Sequence, residues 1–298
     1  MQSKLDRRDM LRAALGFALL PRLGDTTLAQ SAAKGGADAM SKDIVMLHGA
    51  NEGTWCFDRF RAVFESLGWT CHAPDLIGHG ARTAEAKALA GIGMADYRSE
   101  LEAFLKTLPP EPVLLGHSMG AILAQQLAAQ GLARALILVA PAPRSGILPQ
   151  TDAEKKLGQD LMGLGPFWKS VINPDFDLAK TYTLNRIPAG EQRAVFAKFG
   201  PESGLAFFQM FFWMFDRSGA TAVDTAKVEC PVLCAAGADD ALISLASVKA
   251  TAAAYPGVAF WELEGHGHML VLEPGAEEIA RRIAGWSGLT ASSPLKVR

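Results

Sequence analysis

Five residues, Gly116-His117-Ser118-Met119-Gly120, constrain this chain more than any others. The apolar run Val113-Leu114-Leu115 leads straight into them, and a helical pattern over 119–130 runs straight out to Gly131. A strand that becomes a helix within so few residues leaves almost no room in its turn. The positions two before and two after the serine must therefore be tiny, hence the two glycines. The turn lifts the Ser118 hydroxyl clear of the strand and sets it over the positive end of the following helix. A chance G-x-S-x-G in a loop would have neither flank.

The same alternation runs through most of the chain. Short apolar runs predict strands at 44–47, 69–73, 113–115, 135–139, 232–236 and 258–263. Helical spacing predicts helices at 55–67, 94–108, 119–130, 244–255 and 273–286. Strands alternating with helices imply an α/β fold with a mostly parallel, doubly wound sheet, here of about six strands. Residues 142–227 break the rhythm and read as helices and loops with no clear strand. The organisation that follows is a core in two parts, 43–141 and 228–286, an inserted helical cap at 142–227, and a polar, frayed tail at 287–298.

The formal net charge is −2, so no basic footprint points to nucleic acid. No apolar run reaches the roughly 20 residues of a membrane span. Asp6-Arg7-Arg8-Asp9-Met10-Leu11 resembles a twin-arginine export signal, followed by an apolar stretch at 11–20 and small residues at Thr27-Leu28-Ala29. On that reading residues 1–29 are removed, residues 30–42 form a linker, and the mature protein is periplasmic or secreted. An amphipathic N-terminal helix that carries Arg-Arg is the alternative.

Of the four cysteines, Cys230 and Cys234 flank a strand. That places their Cα atoms about 13 Å apart at roughly 3.3 Å per residue, too far for a disulfide. Cys56 and Cys71 could pair in an oxidising compartment. Four free thiols is the simpler expectation.

A serine hydroxyl needs a base to take its proton, and that base needs a third group to fix its tautomer. If the chain order is Ser, then acid, then His, the base lies in Gly265-His266-Gly267-His268-Met269 and the acid in Gly237-Ala238-Asp239-Asp240. Spacing alone leaves both histidines and both aspartates open. The loop after the strand at 135–139 reads Ala140-Pro141-Ala142-Pro143 and offers no carboxylate. Negative charge developing on a substrate carbonyl calls for two backbone N–H groups. One is that of Met119, and the other comes from the loop after the first strand, Leu47-His48-Gly49-Ala50.

Taken together, His48-Gly49, Pro74-Asp75 with Gly78-His79-Gly80, the serine turn and the late Asp and His loops resemble the α/β-hydrolase superfamily over about 43–286. The resemblance implies Ser118 as nucleophile, His268 as base ahead of His266, Asp240 as acid ahead of Asp239, and Ala50 with Met119 as the oxyanion hole. It gives His48 a structural role. It implies ester hydrolysis through an acyl-enzyme on small to medium hydrophobic substrates, with no cofactor and no metal. The related chemistries of thioesters, lactones, perhydrolysis, C–C bonds and cyanohydrins use the same site, and a non-catalytic binding protein could share the fold. His-Gly-Ala followed by Gly53-Thr54-Trp55-Cys56 is similar to the plant esterase and hydroxynitrile lyase branch. Serine at 118 sets the chain apart from the dehalogenase and epoxide-hydrolase branches, which carry aspartate there. Within the cap, residues 207–215 form a run too apolar to face water. Phe211, Trp213 and Trp168, with Phe167 nearby, are the candidates for an acyl-binding pocket.

Overall fold

Continuous apolar runs make strands that can be buried on both faces, and six of them assemble into one parallel sheet. The computed structural model describes residues 41–290. The segment read as an export signal, nearly all of the expected linker and the end of the tail lie outside them. In chain order the strands are β1 (Asp43–Leu47), β2 (Thr70–His72), β3 (Val113–His117), β4 (Ala135–Val139), β5 (Val171–Ile172), β6 (Glu202–Ser203), β7 (Val232–Gly237) and β8 (Ala259–Leu263). The sheet order is β2-β1-β3-β4-β7-β8, while β5 and β6 form a separate antiparallel pair.

Residues alternate between the faces of a strand, so each strand feeds two cores. Val45, Leu47, Leu114 and Leu136 pack on one face with α2 (Met94–Leu105), α3 (Met119–Ala128) and α8 (Leu245–Ala252). Ile44, Met46, Leu115 and Ile137 pack on the other with α1 (Asp58–Ser66) and α9 (Ala276–Ala284). α3 is buried on every side, and Gln125 and Gln126 are the only polar residues in it. The register sets Leu47 beside Gly116, His117 beside Val139 and Gly237 beside Leu263. The carboxyl ends of β1, β3, β7 and β8 therefore deliver their loops to one edge of the sheet, where such folds place their sites.

The segment between β4 and β7 holds α4 (Asp152–Gly163), α5 (Phe176–Leu178), α6 (Gln192–Phe196) and α7 (Gly204–Phe211). Three expectations need correction here and at the C-terminus. The segment does contain strands, β5 and β6, but at two residues each they are too short to show alternation. The apolar run 207–215 is not wholly shielded: α7 ends at Phe211, Phe212 leaves helical geometry, and the next turn puts Met214 and Phe215 45% and 66% exposed. The tail is not frayed from residue 287. Leu289 is buried, and its carbonyl accepts a 2.7 Å bond from Arg134 Nη1. All four cysteines are free thiols.

Candidate active site

The turn after β3 is as tight as its sequence requires. Ser118 sits at φ 50°, ψ −118°, a left-handed backbone that costs a non-glycine residue on the order of 1–3 kcal/mol. A Cβ on Gly120 would lie 2.1 Å from the Leu47 carbonyl oxygen, and one on Gly116 would lie 2.5 Å from that of Gly120. Both positions thus admit only glycine.

The late loops meet this turn. His268 Nε2 lies 3.0 Å from Ser118 Oγ, and His268 Nδ1 lies 2.8 Å from Asp240 Oδ2. All three residues are buried. Asp240 Oδ1 accepts the N–H groups of Leu242 and Ile243 at 2.8 and 2.9 Å, so the carboxylate is held from both oxygens. The alternatives lie elsewhere. Asp239 pairs with Arg186, and the His266 ring bonds the Glu264 carbonyl at 2.9 Å. Glu273 braces the histidine loop by accepting the Gly267 N–H at 2.8 Å. Burial raises the Glu273 carboxyl above its ordinary range.

Met119 directly follows Ser118, and Ala50 follows Gly49 in the loop after β1. Among the described residues neither N–H donates a hydrogen bond, as expected of Met119 at the start of a helix. A Cβ on Gly49 would come within 2.9 Å of Ser118 Cβ, which shows how closely this loop packs on the serine.

Two buried carboxylates that sequence reading passed over hold these loops together. Glu52 Oε2 accepts the Gly49 N–H at 2.9 Å and faces His117 Nδ1 at 3.0 Å. His117 Nε2 in turn faces the His268 carbonyl at 3.0 Å. Both ring nitrogens of His117 meet acceptors, so the ring carries both protons. Burial alone would push the Glu52 carboxyl up, but the His117 charge and the Gly49 N–H outweigh it and bring it to about 2. The same pairing raises His117 against its burial. One ion pair thereby ties the loop after β1, the serine turn and the backbone of His268. Removing one partner of a buried pair typically costs 3–5 kcal/mol. Glu52→Gln, which keeps the shape and loses the charge, is expected to cost about 3 kcal/mol, read as a lowered urea midpoint at pH 7. An unshifted midpoint would rule out the pair as a structural tie.

The second carboxylate, Glu202 of β6, accepts from His79 Nε2 at 2.9 Å, Tyr97 OH at 2.8 Å and the Asn51 N–H at 3.4 Å. Asn51 and Gly200 also exchange two 2.8 Å bonds. The inserted segment is thereby fixed to the loop that carries Ala50. No local sequence pattern marks either carboxylate, because each pairs with a histidine far away in the chain.

His48 is neutral for a definite reason. Its Nε2 accepts the Leu76 N–H at 3.1 Å, so its proton sits on Nδ1 and donates to the Gly49 carbonyl at 2.8 Å. Burial, then the nearby charge of His79, lowers it from 6.5 to about 4. The unfolded chain therefore takes up this proton first as pH falls. Stability is fully present above about pH 6.5, is lost as pH falls toward 4, and changes no further below that. At 1.36 kcal/mol per pH unit the loss is on the order of 3 kcal/mol. Urea midpoints at pH 7 and 4.5 should differ less in His48→Gln than in the wild type. An equal difference would contradict the assignment.

A cavity of about 420 Å³ opens in front of Ser118 and His268, bordered by Ala50, Ala142, Phe207 and Phe211. Of the aromatic candidates, only Phe211 borders it. Trp213 borders a neighbouring cavity, and Trp168 borders neither and packs on Phe208 with ring centroids 5.2 Å apart. Trp168 is thus corrected from a pocket residue to a packing residue, because its short turn directs it onto α7.

Known proteins resemble this chain over part of its length. The sequence model of the Alpha/beta hydrolase family matches residues 44–282. A pyrethroid hydrolase from Sphingobium wenxiniae is 31% identical over 112 residues, 37% of this chain and 39% of that protein. The probable esterase PIR7A of Oryza sativa subsp. indica is 32% identical over 150 residues, 48% of this chain and 52% of that protein. The chain thus spans about half or less of the length of these curated relatives. The crystal structure of the methylesterase MES16 from Arabidopsis shares the fold, with a TM-score of 0.63 and 16% identity, covering 82% of this chain and 98% of that one. With a family match that runs from β1 into α9, the chain belongs to the alpha/beta hydrolase family.

Proposed function

We propose that the protein is a serine hydrolase that cleaves carboxylic esters of hydrophobic substrates through an acyl-enzyme. The observation that carries this reading is the continuous Asp240–His268–Ser118 chain, at 2.8 and 3.0 Å, opening on an apolar cavity. Ser118 Oγ attacks the ester carbonyl carbon while His268 Nε2 takes its proton. His268 keeps its Nδ1–H on Asp240, which fixes the tautomer and stabilises the imidazolium. The carbonyl oxygen gains charge and is met by the Ala50 and Met119 N–H groups, worth roughly 3 kcal/mol each. His268 then protonates the departing alcohol. Water then attacks the acyl carbon while His268 takes its proton, the acyl–Oγ bond breaks, and His268 returns that proton to Ser118 as the acid leaves. Each step uses water or a group of this chain, and residues 142–227 act as the cap that keeps the acyl group from bulk solvent.

The pyrethroid hydrolase and the probable esterase among the relatives support an ester as the bond cleaved. Release of p-nitrophenol from p-nitrophenyl acetate tests the reading. Turnover is expected, and a folded protein that cleaves no such ester would overturn it. The reading also takes residues 1–29 as a twin-arginine-type signal, on the strength of Arg7-Arg8 and the apolar stretch after them. Exported protein should then begin near Gln30, and an intact Met1 on exported protein would contradict removal.

A further inference from the structure

A second cavity lies beside the one that holds Ser118, with a volume of about 410 Å³. Leu157, Met210, Phe211, Leu242 and Ile243 border both, so one layer of side chains separates them. Ser118 and His268 border only the inner cavity. Gly158, Met162, Trp213, Met214 and Phe215 border only the outer one.

Apart from the exposed amide of Gln159, the polar groups in the outer wall are already engaged. Glu154 accepts the N–H groups of Gln150 and Ser244 at 2.7 and 2.8 Å and the Ser247 hydroxyl at 3.0 Å. Trp213 Nε1 donates to the Ile147 carbonyl at 3.1 Å, and Lys155 turns to Asp152 at 2.9 Å. Among the described residues, no buried polar side-chain atom without a partner belongs to a residue bordering this cavity. A ligand there gains burial and no hydrogen bond from a buried waiting group, so the site suits an apolar one. Met162 and Met214 at its mouth are each 45% exposed, an apolar rim that a monomer otherwise keeps covered.

The dividing wall has a fixed side and a yielding side. Leu242 and Ile243 are anchored by their N–H bonds to Asp240. Leu157 stands on α4, a helix with no fully buried residue, and Phe211 closes the end of α7. At roughly 30 Å³ per water-sized group, each cavity holds on the order of a dozen heavy atoms. A short-chain ester fits the inner cavity alone.

We propose that the outer cavity binds the distal end of an acyl chain too long for the inner one, passing between Leu157 and Phe211. This rests on the reading of Ser118 as the nucleophile. The substrate class is then esters of extended, unbranched hydrophobic acids, with the carbonyl at Ser118 and the chain end against Trp213.

Gly158 supplies the test. A Cβ there meets only the Phe212 ring, at 3.9 Å, so a larger side chain can grow into the outer cavity. Replacing a mid-helix glycine also favours α4. In Gly158→Phe the ratio of kcat/KM for p-nitrophenyl octanoate over acetate should fall at least about tenfold, with a smaller fall in Gly158→Leu. Phe211→Ala, which opens the wall, should raise that ratio. An unchanged ratio in the folded Gly158 variants overturns the proposal. Binding of p-nitrophenyl octanoate to Ser118→Ala, read by tryptophan quenching, needs no turnover. Adding Gly158→Phe should weaken it at least about tenfold, and equal binding overturns the outer site. If the wild type cleaves neither ester while this binding difference holds, the hydrolase reading fails and the outer site stands.

Discussion

Replacing Ser118 by alanine is expected to lower kcat toward p-nitrophenyl acetate on the order of 10⁵-fold, because no other group can form the acyl-enzyme. The structure offers no understudy at that position. Ser118 Oγ is the hydroxyl 3.0 Å from His268 Nε2, and the turn that places it is fixed by contacts at Gly116 and Gly120 that no side chain could relieve. The residual rate would come from the N–H groups of Ala50 and Met119 and from binding. The loss should appear in kcat with the fold retained, since alanine keeps the Cβ and removes only the hydroxyl that His268 Nε2 faces. A variant that kept a tenth of the activity would show that the nucleophile is elsewhere.

Asp240→Asn should cost about 10⁴-fold in kcat. The carboxylate accepts the His268 Nδ1–H through Oδ2, while Oδ1 is bound by two backbone N–H groups. An amide in that place has one oxygen, and the Leu242 and Ile243 N–H groups claim it. Its NH₂ then faces His268 Nδ1 and forces the proton onto Nε2, where it points at Ser118 and cannot accept. The neighbouring Asp239→Asn is the control. Asp239 is partly exposed and pairs with Arg186, so its loss is a surface change worth about 1 kcal/mol or less, and kcat should stay within about twofold. Equal losses in the two variants would mean that the loop, rather than the Asp240 carboxylate, matters.

These two aspartates show where reading from sequence reached its limit. The loop was located by its place after β7, but neighbours in a chain diverge in space by a backbone turn that spacing cannot resolve. The same holds for His266 and His268. Their resemblance to family patterns favoured Asp240 and His268, and the fold brings those two to Ser118. The six strands were legible because burial on both faces demands continuous apolar runs. The strands β5 and β6 were not, since two residues carry no period. Trp168 and Trp213 were grouped with Phe211 on composition alone, yet a break in the helix at Phe212 sends Trp213 into a different cavity. Glu52 and His117 were hidden for another reason. Their significance lies in pairing across 65 residues of sequence, and no local pattern reports a long-range ion pair.

The most direct test of the central claim is covalent. The wild-type protein is incubated with an alkyl fluorophosphonate, digested and mapped by mass spectrometry, with His268→Ala treated in parallel. The account predicts a phosphonyl adduct on the peptide that contains Ser118, formed together with loss of esterase activity, and little or no adduct in His268→Ala. Full inactivation with Ser118 unmodified, or ester turnover that the reagent leaves untouched, would contradict it.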